Sequence, residues 1–114
     1  MRASREQAFD LLSKWKSESK SVLVIFSDGD ATAFMAGSIA SLSKDSVEFE
    51  GLPHSGLSML LSVVEEFDFS DIREQPVEVR MAHGRLVDEL LLLKFSSGSQ
   101  VRIHPLRSED EPGD

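Results

Sequence analysis

Residues 21–42 read SVLVIFSDGDATAFMAGSIASL, and this stretch decides the fold. Seven residues rich in Val, Ile and Phe lead into Asp28-Gly29, a dipeptide suited to tight hairpin turns because both residue types reach positive φ cheaply. A two-residue loop there pairs Phe26 with Ala31, Val24 with Ala33 and Val22 with Met35, making one face wholly apolar. The other face sets Leu23 opposite Phe34 and Ile25 opposite Thr32, and is half apolar. Turn chemistry and facing agree, as a correct register requires.

Working outward, the second strand runs through Gly37 towards Leu42. A polar turn at 43–46 follows, and then Val47 and Phe49 alternate with Glu48 and Glu50. A four-residue loop pairs Leu42 with Val47 and Ala40 with Phe49. That inward set has the opposite parity to Ala31, Ala33 and Met35, so a bulge or bend is expected near Gly37. Upstream, Ser4 and Gln7 form a capping-box pattern. Ala8, Leu11, Leu12 and Trp15 then fall at helical spacing with Phe9 beside them, while Asp10, Lys14 and Glu18 lie away from the stripe. The pattern dissolves at 17–21, giving a helix of about four turns.

The C-terminal part carries a second hairpin. Residues 90–95 and 100–105 flank a loop in which Gly98 takes a left-handed position, a turn followed by a bulge. Leu93 then opposes Val101, and Leu91 opposes Ile103. The reverse face holds Leu90, Leu92 and Lys94 opposite His104, Arg102 and Gln100. Between the hairpins, 52–56 reads as a loop and 58–69 as strand, although Leu57, Leu60, Leu61 and Val64 also fit a helical stripe. Residues 70–75 read as a connector and 76–81 as a short edge strand. The expected fold is mainly β: a small bent sheet or partly open β-barrel built from hairpins, with one N-terminal amphipathic helix. It becomes α+β if 57–66 or 84–93 is helical. One globular domain is expected over 1–107, with 108–114 a disordered acidic tail.

The helix, Val22–Phe26, Asp28-Gly29 and the long strand through Gly37 and Ile39 together resemble the Sm-like RNA-binding barrels over about residues 5–51. The resemblance implies a small barrel-like sheet and, as a third functional reading, RNA binding. At the positions where that family grips a base with an Asp and a Met-Asn pair, this chain carries Ser43, Ser46 and Val47. The likeness is therefore used for architecture alone.

Composition narrows the function. The 114 residues are 40% hydrophobic with no cysteine, which excludes disulfides, thiolate metal sites and thiol chemistry. The polar start, Arg2 to Glu6, lacks the apolar core of a signal peptide, and no apolar run is long enough to span a bilayer. A cytoplasmic protein without membrane contact is expected. The net charge of −8 is uneven: residues 28–72 hold nine acids against one base, whereas 1–27 and 73–107 each carry an excess of two bases. Such a surface repels phosphate backbones and disfavours nucleic acid as a partner.

Catalytic signatures are absent. His54, His83 and His104 show no metal-motif spacing and read as independent rim residues. Glu65, Glu66, Asp68 and Asp71 lack the ligand alternation of a calcium loop and read as a solvated strand face. Neither a Gly-x-Ser-x-Gly elbow nor a phosphate-cradling glycine loop occurs. Trp15 reads as a core or interface anchor. No catalytic, cofactor or metal residue is assigned, and no cofactor is expected. What remains is apolar surface: Leu23, Ile25 and Phe34 on one hairpin, Leu90 and Leu92 on the other, edged by Lys94, Arg102 and His104. One helix covers only one such patch, so the first expectation is a non-catalytic assembly module that self-associates or binds a protein. The alternative is a small-ligand or ion-binding barrel, or an enzyme, using the histidines or Arg80, Arg85 and Arg102 to hold an anion.

Overall fold

The computed structural model describes residues 2–51, 56–82 and 85–106. Eight strands form one antiparallel sheet in the order β1 (Arg2–Ala3), β6 (Val64–Asp71), β9 (Glu89–Phe95), β10 (Gln100–Pro105), β2 (Ser21–Asp28), β3 (Ala31–Leu42), β4 (Ser46–Gly51) and β5 (Gly56–Leu60). A helix, α1 (Arg5–Ser17), follows β1. A long excursion between β6 and β9 contains the one-turn helix α2 (Val77–Arg80) and the two-stranded ribbon β7 (Met81–Ala82) and β8 (Arg85–Leu86).

The sheet is open, and its curl follows from one short link. A 3-10 turn at Leu61–Val63 joins β5, at one edge, to β6, next to the other. Three residues span at most about 10 Å, so the two ends of the sheet must bend towards each other. Buried Leu61 fills this seam, its N–H donating to the Asp45 carbonyl. Inside the curl lie Val22, Val24, Ile39, Val47, Phe49, Phe67, Leu91, Leu93, Val101 and Ile103, and Ala8, Leu12 and Trp15 of the helix complete this core. The capping box at the helix start is formed in both directions: Ser4 accepts from the Gln7 N–H, and Gln7 accepts from the Ser4 N–H.

The two hairpins form where expected, with one change of register. The first turn is Gly29-Asp30 rather than Asp28-Gly29, so Asp28 pairs with Ala31, Phe26 with Ala33, Val24 with Met35 and Val22 with Gly37. Gly29 takes φ of 60° and Asp30 stays at negative φ, the pattern of a II′ turn, which needs glycine first. A two-residue slip preserves side-chain parity, so the facing survives. The bulge lies between Ile39 and Ser41 rather than at Gly37, and Ile39, not Ala40, opposes Phe49. Gly37 answers another demand: a Cβ there would strike the Glu50 backbone carbonyl. The second hairpin has the expected register, Leu93 with Val101 and Leu91 with Ile103, and Gly98 sits at φ of 93°.

Two segments differ from expectation. Residues 58–69 are two strands broken by the 3-10 turn. The segment read as an edge strand at 76–81 instead turns into α2, because Pro76, fixed at φ of −56°, is preset to start a helix and its carbonyl accepts from the Arg80 N–H. Neither 57–66 nor 84–93 supplies an α-helix among the described residues. The tail at 108–114 lies outside them. No helix is long and apolar enough to cross a membrane among the described residues.

Candidate functional site

Register places the expected surface residues on one face. Each strand sends alternate side chains inward to the core and outward, and the outward set lines up across strands. One cross-strand row runs Asp68, Leu92, Arg102, Ile25, Phe34 over β6, β9, β10, β2 and β3. The rows beside it hold His104 opposite Leu23 and Leu23 opposite Ala36, with Leu90 opposite Ser70, and on the other side Glu66, Lys94, Gln100, Ser27 and Thr32. Five strands at the usual spacing make this outer face about 19 Å wide.

Exposure divides the set. Phe34 is 72% exposed and Leu23 only 6%. Leu23 belongs to a second, smaller core with Val87 and Leu106, against which Ile25, Ala36 and Ile72 pack. Ile72 and Val87, at the two ends of the excursion, therefore lie on the outer face and wall one side of it. Leu23 is thus not an open surface residue. Leu90, Leu92, Lys94, Ile25 and His104 are half-buried, and Arg102 is exposed. Lys94 faces Glu66 at 3.6 Å, and Glu66 also accepts from Arg2 at 2.6 Å. Arg102 forms no ion pair among the described residues.

His104 is the one titratable group here with a shifted proton affinity that matters chemically. Burial, and secondly the positive charge of Arg102, lower its pKa below the usual imidazole value, favouring the neutral ring. Its Nδ1 is buried and has no hydrogen-bond partner among the described residues. Neutral imidazole is the form that coordinates metals, and with Nδ1 buried the ring has only Nε2 to offer a ligand. His54 and His83 lie outside the described residues, so their convergence with His104 does as well. No group of three or more His, Asp or Glu able to hold a metal ion occurs among the described residues.

The fold has relatives among heme proteins. ChuS, a heme oxygenase of Escherichia coli, superposes with a TM-score of 0.64 at 14% identity, covering all of this chain and 33% of its own. PhuS, a heme-binding protein of Pseudomonas aeruginosa, gives 0.62 at 12% identity over 99% of this chain and 31% of its own. A protein of Agrobacterium tumefaciens gives 0.55 at 19% identity over 96% and 59%. The chain therefore spans about a third of the length of ChuS and PhuS. At these identities the likeness is one of fold. No protein-family model and no curated protein sequence matches the chain.

One apolar surface went unread in the sequence. A cleft of about 310 Å³ opens beside the free flank of the first hairpin, lined by Val24, Phe26, Ala33, Met35 and Leu57 together with Gly56 and the outward-facing Phe34. Phe26 belongs to the wholly apolar face of the first hairpin, yet it is 37% exposed. The reason is reach: α1 buries Ala8, Leu12 and Trp15 in the core and packs on β3 and β6, and it does not cover this end of the hairpin. Comparing the helix length with the length of the first hairpin could have signalled the shortfall.

Proposed function

We propose that this chain is a small-ligand-binding domain whose outer sheet face takes a planar, largely apolar molecule bearing carboxylates, the tetrapyrrole class that includes heme. The observation that carries this reading is the cross-strand row in which Arg102 stands between Leu92 and Ile25, with His104 two residues along the same strand. Leucine and isoleucine side chains offer a flat apolar floor, and aliphatic contact supplies most of the affinity for such a ligand. The Arg102 guanidinium suits a carboxylate through paired N–H donors. The neutral His104 ring is the described side chain that would hold an iron, and iron would supply redox and ligand-binding chemistry there. That the fold relatives include a heme oxygenase and a heme-binding protein supports the same ligand class.

Titration with hemin and with metal-free protoporphyrin, followed by absorbance and Trp15 quenching, tests this. Both ligands are expected to bind. Arg102→Ala should weaken both, by roughly tenfold for a lost charge-assisted bond. His104→Ala should weaken hemin alone and shift its absorbance band. Absence of binding by either ligand, or wild-type behaviour of both variants, removes the reading.

A second reading, self-association, is favoured by Phe34, which is 72% exposed beside a stretch of β3 (31–36) that pairs only with β2 among the described residues. An exposed aromatic next to an unpaired strand flank invites a partner chain. Light scattering at high micromolar concentration is expected to give a dimer or larger species that Phe34→Ser disperses. A strict monomer would count against it.

A further inference from the structure

Arg80 is a buried charge that the ligand reading leaves unused. It lies at the end of α2 and is only 5% exposed. Its Nε donates to the Val87 carbonyl at 3.2 Å and its Nη2 to Asp88 Oδ1 at 2.6 Å. The backbone repeats the link, since the Val87 N–H donates to the Arg80 carbonyl and the Ile72 N–H to the Asp88 carbonyl. A buried guanidinium is tolerated only where its donors are satisfied, so nature's use of one in a short surface excursion implies that the position of that excursion matters.

What the clasp holds is specific. Val87, near one end of the excursion, shares a small core with Leu23 and Leu106, and Ile72, at the other end, packs against that core as Ile25 and Ala36 do. Leu23 is the register partner of His104, and Ile25 is the partner of Arg102. The wall of the outer face is therefore fixed one strand away from the two polar groups of the ligand site. Val77 and Met81 stand on the same excursion with their side chains exposed.

Resting on the ligand reading above, we infer that Arg80 is a positioning residue: by clasping Val87 and Asp88 it holds Val87 and Ile72 against the outer sheet face and so sets one wall of the tetrapyrrole site. Releasing the clasp frees that wall without touching Arg102 or His104. The bound ligand then leaves faster, because contacts on one side are lost while the floor remains.

The test uses the whole chain with hemin. Arg80→Lys keeps the charge and loses the fork; Asp88→Asn keeps the bond to the Val87 carbonyl and weakens the clasp, and is the variant to use if Arg80→Lys fails to fold. Hydrogen exchange is expected to speed up for amides of 72–88 and to stay at wild-type rates for β9 and β10. Hemin dissociation should accelerate, with affinity falling about tenfold, within the range by which residues outside a ligand's contacts modulate binding. Unchanged hemin dissociation in a variant whose 72–88 amides exchange faster overturns the role of Arg80, as does unchanged exchange. Failure of the wild-type chain to bind hemin overturns the underlying reading and this inference together, and is distinguishable because it is seen before any variant is made.

Discussion

At the scale of single residues, three positions carry constraints that their neighbours do not share. Gly37 faces the Glu50 carbonyl with no room for a Cβ, so Gly37→Ala should destabilise the chain by about 2–3 kcal/mol in urea denaturation, a typical overpacking cost. Ser19 ends the helix at φ of 55°, in the left-handed region. Glycine is at ease there, and Ser19→Gly is expected to raise stability by roughly 0.5–1 kcal/mol. His104 sets a pH dependence. Its folded pKa lies below the ordinary value near 6.5, so the unfolded chain binds a proton more readily. Its contribution to stability is full above that ordinary value and is lost as pH falls towards the depressed one. Melting curves from about pH 7.5 down to about pH 5.5 should show this loss in the wild type and a smaller one in His104→Gln.

At the scale of elements, the hairpins were legible and the excursion was not. Alternation around Gly98 and Gly29 fixes facing, because parity is robust to a slip of two residues; this is why Phe26 opposing Ala33 instead of Ala31 left Val22 and Val24 inside. The same parity sets Ile25 and Phe34 on one face of the first hairpin and Leu90, Leu92 and Arg102 on one face of the second; the pairing of β10 with β2, which joins the two into a single face, is written in neither hairpin. The bulge was foreseen as a need but placed at the wrong residue, since Gly37 serves close backbone approach while Ala40 is the residue left over. Deleting Ala40 should therefore make the ladder regular, with Ser41 still opposite Glu48 and Leu42 still opposite Val47, so that its cost, read from the denaturation midpoint, is that of the lost local bend alone. The excursion escaped because Ile72, Arg80 and Val87 act at irregular spacing, and no period marks them. Helix α1 is held at its start by the reciprocal Ser4–Gln7 bonds, and Ser4→Ala is expected to lower stability by about 1 kcal/mol.

At the scale of the whole molecule, the most distant parts of the sequence meet in the middle of the sheet. Val24 lies beside Ile103 and Phe26 beside Val101, so β2 is seated between its own hairpin mate and a strand that follows it much later in the sequence. A chain emerging from the ribosome can complete β2 to β5 early, yet one flank of β2 stays vacant until residue 105 has cleared the exit. During that interval Val22, Val24 and Phe26 lie on an open border ready to accept any extended peptide nearby. Cells making this protein quickly should thus accumulate truncated products in aggregates, while the finished chain, its border closed by β10, stays free of them.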